Sequence, residues 1–558
     1  MKEFSLNLKT RLKSVYGRHN VEFMAAAVGM LVFILVYGYK ILNPMNISWM
    51  YHGLSTDFTQ HYLGWKGFRN SAWTFPIGLM DQLTYPDKVS IIYTDSIPIF
   101  ALFFKLFNPI LPDRFQYFGF WGILTYALNG VFASMILKRY LKSKLNVILG
   151  SLFFIFSFQM LERMYFHSAL AAHWLILLPI YLIIIRRELS LKKKILLWGI
   201  VGALCPLIHS YFILFDGIIL AGFMLAVIID RDGMEDSNKK RLIAAGLSFL
   251  SFVLVGLFTL FILGAFDNTV ADLNGSVDNF GLDLNAFFNE MGAGYFPEVF
   301  SYRKGHRIYY LGAGIIILTM ITAIQIIRHK DWDFFKKRKN TIIAIAATYI
   351  LALIVACSPT ITLNGNVIIH YPLPELVKNI WSVFKNTART SWVCIYLIFL
   401  FAICADYKYV SRELKTSFLI FAFLIQFTDI SPYLIERHGK IITETNVKEF
   451  DPHLGTDFLD NLIATHGIKH FVLGPTYDPG PFKFLTGYAM SRHLTTNVFR
   501  LARGNSKDVK AEFKKALYNP NTESLYILKS EDADYAFDDC GINWMETEGF
   551  IIGIVGEW

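Results

Sequence analysis

Two aspartates flank one long polar segment near the beginning of this chain. Asp57 lies in STDFTQHYLGWKGFR (55–69), and Asp95 lies in SIIYTDSIPIFALFFK (90–105). A carboxylate that is partly removed from water, yet reachable from one face of a bilayer, can act as a general base toward an attacking hydroxyl. We therefore take Asp57 as the candidate base and Asp95 as a second acid or alternate base.

Both aspartates also have an ordinary structural explanation. Thr56 or Asp57 can cap the N-terminus of a helix, where a side-chain oxygen accepts hydrogen bonds from free backbone N–H groups. The stretch that follows has the periodicity of an amphipathic helix lying at the membrane interface. Asp95 precedes a Ser-Ile-Pro sequence, which is a common way to begin a helix. The side chains that recur along the first helix are Phe58, Tyr62, Trp65 and Arg69.

Cations and imidazoles that can hold an anion are spread along the chain. Arginine suits phosphate because its planar fork donates two hydrogen bonds at once. His167 and His173 are six residues apart, so they do not share a helical face as a zinc-binding i, i+4 pair would. We therefore expect no bound cofactor, with a divalent metal as the alternative, and each side chain has a structural alternative as a snorkelling or hydrogen-bonded group. The candidate substrate-binding residues are Lys105, Arg163, His167, His173, His209 and Arg389.

The composition indicates that these residues are positioned by membrane helices. The chain has 558 residues, of which 54% are hydrophobic, 16% aromatic and 17% charged, and its mean hydropathy is +0.41. These values exclude an ordinary soluble enzyme and indicate an α-helical polytopic membrane protein. Apolar runs long enough to cross a bilayer recur along most of the chain. We predict eleven spans, at 23–42, 115–137, 145–161, 166–185, 195–208, 211–229, 242–266, 308–327, 340–357, 391–405 and 415–428.

The distribution of basic residues predicts the orientation of these spans. Segment 96–111 is apolar but short and contains two prolines and Lys105, so we predict that it is re-entrant or interfacial. Without it, six loops or ends on one side of the membrane hold 27 Lys and Arg residues. The positive-inside rule then places the N-terminus in the cytoplasm and the C-terminal tail outside the cell. The net charge of +9 is thus an orientation signal, and no nucleic-acid partner is expected.

Three long loops interrupt the helical pattern on the predicted outer side. Irregular backbone beside a membrane must lie in water or line a cavity, so we expect these loops to cap one cavity. The loops are 43–114, 267–307 and 358–390. The tail combines a helix-like piece, SKDVKAEFKKALY, with strand-like runs in KHFVLGP, SLYILKS and FIIGIVG, which is typical of a small α/β domain. The predicted units are a cytoplasmic N-terminus (1–22), a transmembrane domain (23–429) and an extracytoplasmic α/β domain (430–558).

The order of several motifs resembles that of a known class of membrane enzymes. A first span, a large external loop with an aspartate near its start, and later active groups on the same side resemble the GT-C superfamily of polyprenyl-phosphate-sugar-dependent glycosyltransferases. An uncharacterised bacterial membrane-protein family near that superfamily is similar to this chain from about 50 to 432. The motifs that carry this similarity are DFTQHYLGWKGFR, YTDSIPIFALFFK, FQYFGFWGILTY, HSALAAHWLIL, GLDLNAFFN, YYLGAGI, FKNTARTSWV and FTDISPYL.

This resemblance implies an inverting glycosyltransferase with a GT-C-like fold. Its donor would be a sugar carried on undecaprenyl phosphate in the lipid bilayer, and its acceptor a cell-envelope glycan or polymer on the outer face. The role of the first-loop aspartate in GT-C enzymes falls on Asp57 as the base. The W-W-D-x-G-type motif of oligosaccharyltransferases is absent from the sequence, which argues against transfer of a whole glycan to asparagine.

Two other classes of function fit part of the same pattern. A transporter or flippase for a lipid-linked or anionic substrate would use the cations to bind cargo without chemistry. Such proteins commonly place ionisable residues near the midplane of broken helices, whereas here these residues are predicted to lie toward one face. A non-catalytic scaffold of the envelope would account for the tail but not for the acids and cations. The pattern as a whole favours an enzyme.

Overall fold

Long apolar helices dominate the computed structural model, as the composition requires. Across the residues that the structure describes, eight helices are long and apolar enough to cross a membrane, and a bent pair makes a ninth. The described residues are 2–51, 56–231, 237–267, 280–302, 309–330, 332–405, 410–443, 455–475, 479–502, 508–537, 540–547 and 549–558. The helices are α1 (Lys2–Tyr37), α2 (Ser48–Tyr51), α3 (Thr56–Asn70), α4 (Pro98–Lys105), α5 (Phe118–Leu137), α6 (Lys144–Ile155), α7 (Phe158–Phe166), α8 (Trp174–Ile185), α9 (Leu191–Ile208), α10 (Tyr211–Ile229), α11 (Asn238–Ile262), α12 (Ala313–His329), α13 (Asp333–Lys337), α14 (Lys339–Cys357), α15 (Glu375–Ser382), α16 (Ser391–Cys404), α17 (Arg412–Thr443), α18 (Thr456–His466), α19 (Pro479–Ser491) and α20 (Val509–Tyr518).

Ten of the eleven predicted spans each coincide with one helix. The eight candidate spans fall on α1, α5, α8, α10, α11, α14, α16 and α17. Two further predicted spans correspond to α9, which begins with three lysines in its first turn, and to α12, which has only 17 residues. Segment 96–111 forms the eight-residue helix α4 and one short 3₁₀ turn. A helix of eight residues is far too short to cross a bilayer, which agrees with the prediction for this segment.

The predicted span 145–161 falls on a bent pair of helices, α6 and α7, and not on one continuous helix. The two helices meet at an angle of 44°. Neighbouring side chains satisfy the polar groups at the break: Asn129 donates to the carbonyl oxygen of Phe154 at 2.7 Å, and the Ser157 hydroxyl lies 2.9 Å from that of Tyr396. A helix inside a membrane protein can break where neighbours make such bonds. Because of this break, α7 runs into the protein interior.

Helix α3 is buried, so the expectation of an amphipathic helix at the membrane interface is wrong. Its aromatic side chains Phe58, Tyr62 and Trp65 are at most 2% exposed, and Lys66 on another side of the helix is 3% exposed. Lys66 is buried because its ammonium group pairs with Asp113 at 2.6 Å. The helix has the predicted amphipathic periodicity, but its polar side chains contact other parts of the protein instead of water. The helix begins at residue 56, so its N-cap lies outside the described residues.

The last part of the chain contains a five-stranded sheet in the order β6-β5-β7-β9-β8. Strand β5 runs parallel to β6 and β7, and β9 runs antiparallel to β7 and β8. The three predicted strand-like runs and the predicted helix are confirmed as β5, β7, β9 and α20. Two hairpins, β1 with β2 and β3 with β4, lie in the predicted external loops. The strands are β1 (Leu79–Met80), β2 (Val89–Ser90), β3 (Thr360–Leu363), β4 (Asn366–His370), β5 (His470–Leu473), β6 (Thr495–Thr496), β7 (Ser524–Lys529), β8 (Asn543–Thr547) and β9 (Phe550–Ile554).

The sheet is docked onto the first long loop by specific contacts. The backbone N–H of Tyr85 donates to the carbonyl of Thr496, and the N–H of Thr496 donates to the carbonyl of Gln82, both at 2.8 Å. The rings of Tyr85 and His470 stack with their centroids 3.9 Å apart. Helix α17 runs without interruption through the predicted boundary between 429 and 430. These contacts bring the tail to the edge of the cavity described next.

Candidate functional site

A cavity of about 490 Å³ lies between α3, the turn after β2, the end of α7, the α9–α10 connection and the C-terminal part of the chain. Its walls come from parts of the sequence that are hundreds of residues apart. Four cationic side chains face three carboxylates, so the lining carries a net positive charge even with neutral histidines. The polar side chains that line it are Asp57, Gln60, Asp95, Glu162, Arg163, His167, His209, Lys385, Asn386, Arg389 and Arg500.

Asp57 stands in the first turn of α3 at the edge of the cavity. Its Oδ2 atom lies 3.2 Å from Nε2 of His167, and its Oδ1 atom lies 3.4 Å from a terminal nitrogen of Arg500. The side chain is 19% exposed, so a substrate in the cavity can reach it.

Asp95 is carried by a turn of unusual backbone conformation. Its φ angle is +56°, and that of Ile97 two residues later is +53°, a region that a β-branched side chain rarely adopts. The Ser96 hydroxyl donates to the carbonyl oxygen of His61 on α3 at 2.7 Å and lies 2.8 Å from the hydroxyl of Thr94. Such strained residues persist where surrounding contacts hold them, and they cluster at functional sites.

Gly64 allows this turn to approach α3 closely. A Cβ atom at Gly64 would lie 2.4 Å from Cβ of Thr94 and 2.5 Å from Oγ of Ser96. These distances are shorter than any real contact between such atoms. A helix without a side chain at this position therefore places Asp95 beside Asp57.

The surroundings of Asp95 keep its carboxylate ionised. Its Oδ1 atom lies 3.2 Å from Nε2 of His209, and the backbone N–H of Tyr211 donates to Nδ1 of the same ring at 3.1 Å. Because Nδ1 is an acceptor, the hydrogen of a neutral His209 ring sits on Nε2 and points at Asp95. Burial raises the pKa of Asp95, but His209, His61 and Arg389 outweigh it and bring this pKa below the usual range of an aspartate;.

His167 connects the two aspartates. While its Nε2 atom contacts Asp57, its Nδ1 atom lies 3.9 Å from Oδ2 of Asp95. His61 lies beside it, with the two imidazole centroids 5.7 Å apart, and neither ring nitrogen of His61 has a hydrogen-bond partner among the described residues. His61, Asp95 and His167 offer ligand atoms that all lie within 4.8 Å of one another, which is a donor set that a metal ion accepts;.

Two arginines in the cavity wall differ in their partners. Arg163 pairs with the neighbouring Glu162 at 2.6 Å. The guanidinium of Arg389 lies over the ring of Tyr211, 4.8 Å from its centroid, and the backbone N–H of Asn386 donates to the Tyr211 hydroxyl at 2.8 Å. Within the described part of the chain, no carboxylate pairs with Arg389. Its guanidinium lies over an aromatic ring and lines the cavity, where it can bind an anion;.

The structure brings six of the eight sequence-predicted residues into this cavity and leaves two outside it. Lys105 lies instead over the rings of Phe68 and Trp73, 4.0 and 4.6 Å from their centroids. His173 is fully buried, with Nδ1 hydrogen-bonded to the hydroxyl of Tyr396. Neither side chain lines the cavity, so both are left out of the candidate site. The six residues that line it are Asp57, Asp95, Arg163, His167, His209 and Arg389.

Several polar residues of the site were missed at the sequence level. His61 follows Asp57 by four residues, which is the spacing that puts two side chains on one face of a helix, and this signal could have found it. Glu162 stands directly before Arg163. Arg500 and Lys385 had no local signal, since tertiary structure alone brings them to the cavity.

The chain as a whole is similar, at low identity, to solved structures of oligosaccharyltransferases from Archaeoglobus fulgidus. The archaeal oligosaccharyltransferase AglB in complex with an inhibitory peptide and a dolichol-phosphate is 11% identical, with a TM-score of 0.47 over 97% of this chain and 75% of that chain. The apo form is 13% identical, with a TM-score of 0.45 over 96% and 74% of the two chains. The complex with Zn and sulfate is 12% identical, with a TM-score of 0.45 over 95% and 73%. No curated protein matches this chain.

One sequence family covers most of the chain. Its profile matches residues 26–431, from α1 into α17. The matched region contains all six predicted residues of the cavity, whereas Arg500 lies beyond it. The chain therefore belongs to the family described as a domain of unknown function (DUF6311).

Proposed function

We propose that this protein is an inverting glycosyltransferase that takes one sugar from a polyprenyl phosphate and adds it to a hydroxyl of a cell-envelope glycan or polymer. The observation that supports this proposal is that one cavity contains both a candidate base and a candidate phosphate-binding arginine. A reachable carboxylate, Asp57, faces the same space as an arginine fork, Arg389, that has no carboxylate partner among the described residues. A hydroxyl acceptor needs the first group, and a phosphate leaving group needs the second.

The chemical step needs one base and no general acid. Asp57 takes the proton of the acceptor hydroxyl as its oxygen attacks C1 of the donor sugar. The bond between C1 and the phosphate oxygen breaks on the opposite face, and its electron pair leaves with the polyprenyl phosphate. Attack opposite the leaving group inverts the configuration at C1. A phosphate is stable as an anion, so it departs without a proton.

The other residues of the cavity bind the phosphate or position the reacting groups. Arg389 and Arg163 bind the departing phosphate, on which negative charge grows in the transition state. His209 and Asp95 form a pair that fixes one wall, with Asp95 as the second carboxylate of the site. His167 contacts Asp57 and orients it. We assign no cofactor to this reaction.

The proposal includes the orientation of the protein in the membrane. The donor lipid is undecaprenyl phosphate in the cell membrane, and the cavity opens to the outer face. The N-terminus (1–22) is cytoplasmic, the membrane domain comprises 23–429, and the α/β domain (430–558) is extracytoplasmic. The 27 Lys and Arg residues on the opposite loops support this orientation;.

The test is a transfer assay with purified protein in nanodiscs. Undecaprenyl-phosphate-linked glucose or N-acetylglucosamine, labelled in the sugar, is incubated with an envelope extract. We expect wild type to move label from lipid to polymer and Asp57→Asn to lose about 10²–10⁴-fold of this rate, the usual contribution of a positioned base. Asp87→Asn, in the same external loop but outside the cavity lining, is the matched control. Transfer by Asp57→Asn at the wild-type rate contradicts the assignment of the base.

The same preparation separates an enzyme from a transporter. Reconstituted in vesicles, a transporter would move the intact lipid-linked sugar between leaflets and leave the bond between sugar and phosphate unbroken. An enzyme breaks that bond in detergent, where there are no leaflets. Movement of intact donor without any release of sugar therefore contradicts the proposal.

A further inference from the structure

Arg500 is the cation that the C-terminal part of the chain contributes to the cavity. The backbone around it is fixed on both sides: the N–H of Thr496 donates to Gln82, and the N–H of Ala502 donates to Tyr93, each at 2.8 Å. Both acceptors belong to the long loop that also carries Asp95. The start of the Arg500 side chain is therefore held in place at the rim, and only its flexible end can change partner.

That flexible end contacts the candidate base. A terminal nitrogen of Arg500 lies 3.4 Å from Oδ1 of Asp57, and the two side chains are 45% and 19% exposed. A charge-assisted hydrogen bond of good geometry is about 2.7–2.9 Å long. The contact is thus a loose ion pair between groups that water reaches, and pairs of this kind are weak. An anion whose oxygens fit the guanidinium fork better can replace the carboxylate.

A bound phosphate is such an anion. Its oxygens match the two-pronged fork of a guanidinium, and its negative charge grows as the bond to the sugar breaks. Arg389 and Arg163 line the same cavity, so a phosphate that they hold comes within the volume that Arg500 can reach.

We propose that Arg500 exchanges partners, pairing with Asp57 in the ligand-free protein and with the phosphate of the polyprenyl-linked donor when the donor binds. This inference rests on the proposed function and adds a binding residue to it from a different part of the chain. Its consequence is access: His167 contacts Oδ2 of Asp57 and Arg500 contacts Oδ1, so Oδ1 opens to an acceptor hydroxyl only after the donor phosphate has drawn Arg500 away.

The test measures binding without requiring transfer. Undecaprenyl monophosphate is titrated into protein in nanodiscs, and occupancy is read by native mass spectrometry. The variants are Arg500→Gln, Arg500→Lys, Asp57→Asn and the double variant Arg500→Gln with Asp57→Asn. Arg492→Gln is the matched control, because Arg492 also belongs to the C-terminal part but pairs with Asp460. Uncharged undecaprenol is the control ligand, and size-exclusion elution with thermal melting verifies the fold of each variant.

We expect Arg500→Gln to weaken binding of the monophosphate about tenfold or more, as for a lost charged hydrogen bond. Arg500→Lys should retain part of the affinity, and Arg492→Gln all of it. Asp57→Asn should tighten binding because it removes the competing carboxylate. This gain should be larger in the wild-type background than in Arg500→Gln, since simple repulsion between Asp57 and phosphate would act equally in both. None of these changes should affect undecaprenol.

Three results overturn the inference and are distinguishable from one another. If wild type binds the monophosphate and Arg500→Gln binds it equally well, Arg500 is not a phosphate ligand, and the proposed transfer reaction is untouched. If the effects of Arg500→Gln and Asp57→Asn simply add, there is no exchange of partners. If wild type does not bind the monophosphate at all, a polyprenyl phosphate is not the donor class, and both proposals are wrong.

Discussion

Nε2 of His209 lies 3.2 Å from Oδ1 of Asp95, and this contact joins the α9–α10 connection to the turn after β2. Because the backbone N–H of Tyr211 occupies Nδ1 of the ring, the ring offers Asp95 a hydrogen in its neutral form and a full charge when protonated. One wall of the cavity therefore depends on an ionised carboxylate.

This dependence predicts how acid affects the protein. The pKa of Asp95 lies below its usual range, so its ionised form stabilises the folded state at any pH above about 4, the unfolded value. That stabilisation is lost as the pH falls through the lower folded-state pKa. Wild type should therefore lose more thermal stability below pH 4 than Asp95→Asn does, measured as melting temperature in detergent. Parallel curves for the two proteins would exclude this role for Asp95.

Arg389 should be sensitive to exchange for lysine. Its fork lies over Tyr211 and offers two parallel hydrogen bonds, whereas lysine is a compact point charge on a flexible stem. We expect Arg389→Lys to lower kcat/KM for the lipid-linked donor about tenfold, or ~1.4 kcal/mol. Arg338→Lys is the control, because Arg338 also lies over an aromatic ring, that of Phe334, but does not line the cavity. Equal losses in both variants would show that the stacking, and not the cavity, matters.

Lys105 should be replaceable with a gain in stability. Burial lowers its pKa to about 8, with some opposition from Asp81. The unfolded chain then binds more protons between pH 8 and about 10.4, so wild-type stability rises with pH across that window. Allowing for its contacts with two aromatic rings, we expect Lys105→Met to stabilise the protein by about 1–2 kcal/mol at pH 7.

Two measurements check this expectation for Lys105. The advantage of Lys105→Met in melting temperature should shrink as the pH is raised toward 10, where the wild-type amine is neutral. The rate of sugar transfer should be unchanged, because Lys105 lies outside the cavity. A large loss of transfer would return Lys105 to the site that the sequence suggested for it.

Gly64 should not tolerate alanine. The added Cβ would overlap Thr94 and Ser96, so the turn that carries Asp95 has to move away from α3. We expect Gly64→Ala to destabilise the protein by about 1–3 kcal/mol, the usual range for overpacking, and to reduce transfer. Gly217→Ala, at a helical position with open space around it, is the matched control and should be neutral or slightly stabilising. Melting temperatures of the two variants compare these effects directly.

The membrane helices and the α/β tail were predictable because their signals are local. Apolar runs of bilayer length and strand-like runs between turns depend on neighbours in sequence. The break between α6 and α7 had no such signal, because Asn129 and Tyr396, which satisfy its polar groups, come from other helices. The burial of α3 was missed for a similar reason, since Lys66 looks like a surface residue until Asp113 is folded against it.

The residues of the cavity were predictable to the extent that they belong to segments predicted to lie on one side of the membrane. That reasoning named the two aspartates, His167 and Arg389, which line the cavity, and also Lys105 and His173, which do not. One side of a membrane is a surface much larger than a cavity, so this criterion alone cannot select the residues that line it. The choice between Arg389, which faces the cavity, and His173, which faces Tyr396, depends on side-chain direction inside a packed bundle.

The backbone contacts that hold residues 496–502 against the loop of Asp95 also bear on biogenesis. The first wall of the cavity leaves the ribosome with Asp57 and the last with Arg500, so the membrane helices can insert and pack long before the site is whole. The cavity lining is therefore complete only once the α/β sheet has docked, because residues 500–502 form part of it. The site is one of the last parts of the molecule to form.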